Sequence, residues 1–270
     1  MNYFVEGLQG SGKTTLTEKL IKIYPDCVLI KEGDYSPVEL AWCASIDEKT
    51  CQDILNSYPE LSEQIKEKTF KEDDRYVICY TKVRTDNRKF YSDLEQYEIY
   101  NGRIYDKDFR KIVLDRYRRF NDNNMIFECS LFQNIVEDMI LFKNASDEEI
   151  ITFYKQVKEA LGGKEYYIYY LYSDDIEGNF DMIRKQRLDD KGNEIWYQIM
   201  LEYFDNSPYA LKRGISGEEE LIKHFKHRQG LELKILKEVF ADKHLILRSK
   251  HYSDEEIKEK NENRTYRHVR

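Results

Sequence analysis

Between positions 2 and 33 the apolar residues fall into two short runs with a helically spaced stretch between them. "NYFVEG" is a short apolar run ending in glycine, and it predicts a buried strand over 2–6. "KTTLTEKLIKIY" then places Leu16, Leu20, Ile21 and Tyr24 on one helical face, and Pro25 closes the helix. "CVLIKEG" (27–33) is a second β-branched run stopped by Gly33. A strand, loop, helix and strand in this order open a right-handed parallel α/β sheet.

The pattern changes over 35–123, where helical spacing dominates at 37–57, 60–70 and 106–121, with an ambiguous "RYVICYTKV" (75–83) between them. That stretch is too long for one crossover helix, so it predicts an inserted, mostly helical lobe that would hold an acceptor. Strand patterning returns at "NMIFECS" (124–130), at "EYYIYYLYS" (165–173), which reads as a central strand covered on both faces, and at "HLILRS" (244–249). Helices are expected at 131–143, 147–161, 176–187, 194–205 and 217–241. The charged tail 254–270 reads as a solvated or frayed helix. With no internal repeat or low-complexity linker, residues 1–270 form one α/β domain, with a parallel sheet of about five strands and helices on both faces.

Composition narrows the partners. Hydrophobic residues make up 41% and charged residues 35%, and the formal net charge of −8 argues against broad nucleic-acid binding. The five cysteines form no C-x-x-C pair, which suits reduced thiols better than a disulfide framework. No basic-then-apolar leader is evident, and no run approaches the ~20 apolar residues of a membrane helix. The expectation is a cytoplasmic protein with no membrane or nucleic-acid partner. Its oligomeric state is left open, a homodimer included.

The chemistry begins in the first loop. Gly7, Leu8, Gln9, Gly10, Ser11, Gly12, Lys13 and Thr14 complete G-x-x-x-x-G-K-[ST], with Thr15 following. Glycines let successive N–H groups turn inward as an anion nest, and the following helix adds its positive end. Lys13 is placed to neutralise the β and γ phosphates of ATP, and the Thr14 hydroxyl to ligate Mg²⁺. The strand before and the helix after make this a three-layer P-loop NTPase fold. No N-K-x-D or LSGGQ motif accompanies it, which leaves small-molecule kinases and stand-alone ATPase switches.

Reacting groups in such sheets gather at the carboxyl ends of strands. Glu32 and Asp34 follow the second strand, where either can orient an acceptor and take its proton; Asp34 is equally placed to cap a helix. Glu128 ends "MIFE" and is placed as a metal-side acid, while Glu6 braces the loop. In "NFDMIRKQRLDD" Arg184 and Arg187 lie three apart on one helical face, and a lid over 179–193 would close them on the transferring phosphoryl group. The basic group 115–120, with Lys82 and Arg84, is a weaker candidate for an anionic acceptor, since such faces are commonly just solvated. His224 and His227 lack an evident third ligand and are not taken as a metal site.

Assembled, these residues resemble the thymidylate kinase and deoxynucleoside kinase branch of P-loop kinases. "FVEGLQGSGKTT" is similar to that branch's opening, "KEGD" sits where the deoxynucleoside kinases carry a catalytic base, "FECSLFQN" resembles their Glu-Arg-Ser element, and "RKQRLDDKGNE" resembles their arginine-bearing lid. Cys129 stands where that element has arginine, and "DRYRRF" precedes the strand that the thymidylate kinase Asp-Arg-Tyr follows. The resemblance covers 1–34 and 124–205. It implies γ-phosphoryl transfer from ATP, with Mg²⁺, to a small molecule such as a nucleoside or nucleoside monophosphate. A hydroxyl on another metabolite or antibiotic is the alternative within the class, and a nucleotide-driven switch that binds a partner is the alternative outside it.

Overall fold

The computed structural model describes residues 1–257. In chain order its strands are β1 (Asn2–Gly7), β2 (Val28–Ile30), β3 (Ala44–Ile46), β4 (Thr69–Glu72), β5 (Arg75–Ile78), β6 (Met125–Glu128), β7 (Tyr166–Tyr172) and β8 (His244–Arg248). The helices are α1 (Lys13–Ile23), α2 (Glu48–Ser57), α3 (Ser62–Glu67), α4 (Arg88–Glu95), α5 (Asp106–Arg119), α6 (Gln133–Leu141), α7 (Asp147–Leu161), α8 (Ile176–Gln186), α9 (Ile195–Asp205), α10 (Pro208–Arg213) and α11 (Glu218–Glu238).

β1 is buried at every position because its two faces feed different cores. Phe4 joins Phe127, Ile168 and Tyr170 under α6, α7 and α11, whereas Tyr3 and Val5 join Ile126, Tyr169 and Leu171 with Leu16 and Leu20 of α1. The result is an α/β layer structure around a five-stranded sheet ordered β2-β6-β1-β7-β8. Every pairing in that sheet is parallel, with Phe4 beside Phe127 on one side and Ile168 on the other. From β1 the chain moves outward to β2, but from β6 it crosses to β7 and then β8. A crevice therefore opens at the carboxyl end of β1, where adjacent connections part.

Residues 35–123 carry helices α2 to α5 and, in addition, strands that the helical reading did not include. They hold a second sheet, β3-β5-β4, paired antiparallel, and a separate core around Ile54, Ile65, Ile78, Phe90 and Leu94. The reading of 37–57 and 60–70 as helices is corrected at both. Helix α2 starts only after Asp47, whose carboxylate caps Thr50, and residues 44–46 are drawn into strand by pairing with β5. Thr69–Glu72 likewise leaves the helical pattern to pair with β5, with Asp73 at φ 44 in the tight turn between them. The β3–β5 pairing is non-local and leaves little trace in spacing, whereas β4 and β5 form a local hairpin across a two-residue turn.

The lid candidate 179–193 comprises most of α8 and a turn in which Asp189 accepts from the amides of Lys191 and Asn193. Of the charged tail, residues 258–270 lie outside the described residues. Within the described part Ile257 is buried in the core beside α1, and Asp254 pairs with Lys19 at 2.7 Å. Among the described residues no helix is long and apolar enough to cross a membrane.

Candidate functional site

The turn after β1 reverses the chain within Leu8–Gly12 and delivers Lys13 as the first residue of α1. Gly10 and Gly12 adopt φ +72 and +95, conformations that L side chains rarely take. A Cβ on Gly12 would meet nothing within 4 Å, so the space before the helix start is open. The amides of Gly12, Lys13 and Thr14 have no acceptor among the described residues, as is usual in the first turn of a helix. Lys13 Nζ folds back on the loop, donating to the carbonyls of Gly7 at 3.0 Å and Leu8 at 2.8 Å.

Three acids surround this loop in different states. Glu6 is fully buried and accepts the amides of Leu131, Phe132 and Gln133 at 2.7, 3.1 and 3.4 Å, stitching the start of α6 to β1. Burial nevertheless pushes its carboxyl up to about 7. Glu128, at the end of β6, receives the Thr14 hydroxyl at 2.5 Å. This pair offers only oxygen, which suits Mg²⁺, an ion that keeps several ligands as water and phosphate; among the described residues no trio of His, Cys, Asp or Glu is placed to hold a metal. Glu32 lies across the opening, where its Oε1 accepts from Trp42 Nε1 at 3.0 Å and Gln133 Nε2 at 2.9 Å.

Lys13, Thr14, Glu128 and Glu32, but not Glu6, line one cavity of about 580 Å³. It brings together Gln9, Gly10, Gly12, Lys13, Thr14, Thr15, Glu32, Glu128 and Arg187 of the residues expected from sequence. Gly7, Leu8, Ser11, Asp34 and Arg184 are not among the lining residues. Asp34 spends one oxygen on the Lys31 amide and the other on Lys82, at 3.0 and 2.9 Å. Arg184 is bound to Glu194 and Glu218 and lies over the Tyr197 ring at 3.9 Å. Arg187 instead lies over the Trp196 ring at 4.7 Å, on the cavity wall. Cys129 is buried with φ 62, turning the chain from β6 towards α6.

The far wall contains residues that sequence reading missed. Glu98 accepts from Tyr80 at 2.6 Å and from Asn101 at 3.3 Å, and Asn101 in turn accepts from Tyr203 of α9 at 2.8 Å. Burial pushes Glu98 up to about 7, and Glu39 behind Tyr100 to about 8. Glu137 of α6 is reached by Arg228, which is 0% exposed, at 2.7 Å and by His224 at 3.0 Å. Burial works to raise Glu137, but these two neighbours take it down to about 2. Arg228 also donates to Gln9 Oε1 in the first loop at 2.7 Å. Lys250 lines the cavity just past β8, and the Ser249 hydroxyl donates to Ser11 O at 2.7 Å. Position at a strand's carboxyl end was the available signal for these two; the acids on the far wall carry no comparable local signature.

No protein-family model matches the chain, and no curated protein matches it.

Proposed function

We propose that the chain is an ATP- and Mg²⁺-dependent phosphotransferase with a P-loop fold that acts on a small molecule. The observation that carries this reading is the single cavity shared by Lys13, Thr14, Glu128, Glu32 and Arg187. A loop that only bound nucleotide would need no carboxylate facing it from across the opening, whereas phosphoryl transfer needs a group to orient the nucleophile.

In the proposed reaction the loop amides and Lys13 hold the phosphates, Lys13 exchanging its loop carbonyls for phosphate oxygens. Thr14 and Glu128 would hold Mg²⁺, which offsets the charge of the phosphates. An acceptor hydroxyl oxygen bonds to the γ-phosphorus as the bridging P–O bond to the β-phosphate breaks. ADP leaves with that electron pair, and the hydroxyl proton passes to Glu32 Oε2. Glu32 suits this role better than Asp34, because Oε2 has no protein donor among the described residues while both Asp34 oxygens are engaged. Arg187 meets the charge that develops on the transferring group.

Lys13→Ala tests the reading. ATP consumption with a panel of small-molecule acceptors should fall at least about a hundredfold while the melting temperature stays near that of the wild type. Wild-type-like rates in this variant would overturn the scheme.

A further inference from the structure

The cations of the site are unevenly placed. Lys13, Arg187 and Lys250 line the cavity from the loop, from the end of α8 and from the end of β8. Among the described residues none of the lysines or arginines of 35–123 lines it. The structure accounts for those that could have received an anion: Arg116 is buried on Glu72, Arg119 pairs with Asp73, and Lys82 pairs with Asp34. The same lobe instead contributes Trp42, Glu98 and Tyr100 to the wall, the loop after β2 adds Glu32, and α6 adds Gln133.

Gln133 carries the second observation. Its amide can give only Nε2 to the Glu32 carboxylate, since a carboxylate accepts and does not donate. That leaves Oε1 as an acceptor, and this atom is buried without a donor among the described residues, on a side chain only 6% exposed. An unmatched buried acceptor is costly until a donor reaches it. Glu32 Oε2, on a half-buried side chain, also has no protein donor among the described residues. The wall therefore presents oxygen acceptors and aromatic faces to its ligand, the pairing that receives the N–H donors of an amine, charged or neutral, and repels a phosphate.

We propose that the acceptor is a hydroxyl-bearing amine without a phosphate group, its N–H donors received by Glu32 and Gln133 among the rings of Trp42 and Tyr100. This rests on the phosphotransferase reading for the hydroxyl, but not for the binding itself. The amine has two ready sources, an amino sugar or aminocyclitol and the exocyclic amine of a nucleobase, and they are separable by experiment.

Calorimetric binding to the intact chain provides the test, with glucosamine, N-acetylglucosamine and glucosamine 6-phosphate as one matched set. Kanamycin and the set adenosine, inosine and adenosine 5′-monophosphate complete the panel. At least one amine should bind, with its acetylated, deaminated or phosphorylated counterpart at least tenfold weaker. Gln133→Leu and Glu32→Gln should each weaken that amine at least tenfold and leave ATP affinity within twofold, which also reports that the variants are folded. Equal or tighter binding of a phosphorylated member overturns the proposal, as does indifference to acetylation or deamination, or no binding by any amine. Amine binding without transfer from ATP would remove the transferase reading and leave this one standing. Transfer to a monophosphate would do the reverse.

Discussion

Thr14 donates its hydroxyl to Glu128 Oε1 at 2.5 Å, joining the first turn of α1 to the end of β6 across 114 positions of sequence. On the proposed reading these two oxygens stand where the metal is held, so Glu128→Gln keeps the shape and removes the charge. Turnover should fall by roughly a hundredfold or more, and the Mg²⁺ concentration needed for half-maximal rate should rise. ATP affinity without Mg²⁺ should be little changed. A Mg²⁺ titration of the rate beside a metal-free binding isotherm checks both.

The two lid arginines should separate. Arg187 lines the cavity, whereas Arg184 is taken up by Glu194, Glu218 and Tyr197. Arg187→Ala is expected to lower kcat about a hundredfold with a small effect on stability. Arg184→Ala should leave kcat within a few-fold and cost about 1 kcal/mol or less, as partly exposed ion pairs usually do. Equal kinetic losses would show that α8 turns Arg184 inward during turnover.

Two glycines of the loop make a matched pair. A Cβ at Gly10 would overlap the end of the Ile183 side chain, so Gly10→Ala must displace that side chain, on a backbone already left-handed at φ +72, and should cost about 1–3 kcal/mol. At Gly12 the methyl meets open space, and the cost to stability is only that of the left-handed backbone, about 1–2 kcal/mol. Its methyl would nevertheless enter the space in front of the helix amides, so ATP affinity should fall at least tenfold. Thermal denaturation and nucleotide binding, measured on both variants, distinguish the two effects.

Stability should fall on the alkaline side. Burial holds Glu6 and Glu98 at about 7 and Glu39 at about 8, against an ordinary value of 4.5. Each binds a proton in the folded state that the unfolded chain has released, so its contribution is complete below pH 4.5 and is lost as pH rises through 7 to 8. Glu137, held at about 2, has the opposite sign: its contribution is present above pH 4.5 and lost as pH falls towards 2. Melting temperatures should therefore be highest near pH 5 and decline towards pH 8, and Glu39→Gln should flatten that decline. A melting temperature that climbs steadily from pH 5 to 8 would contradict the assignment.

What could be read from sequence was whatever is encoded locally. The five core strands are short apolar runs, and each has strand ends within a few residues of the expected ones. The loop through Thr14 is a contiguous motif, and Glu32, Glu128 and Arg187 follow from strand ends or helical spacing. The small sheet of the lobe escaped because β3 and β4 owe their conformation to β5 and not to their own patterns. Asp34 and Glu32 were indistinguishable as letters two apart, and only the positions of Lys82 and Gln133 tell which one keeps a free oxygen. Glu98, Glu137 and Arg228 were invisible for the same reason: a buried charge is defined by the partners that neutralise it, and those come from distant parts of the chain.

Arg228 has a consequence for how this site can change over evolutionary time. Its guanidinium touches Gln9 in the first loop and Glu137 on the opposite wall, with Glu232 as a further anchor. A lineage that altered Glu137 to admit a new ligand would leave a buried cation short of an anion and shift the first loop with it. Specificity drift should therefore begin at Trp42, Tyr100 and Gln133, which can vary without disturbing that cation, and reach α11 last.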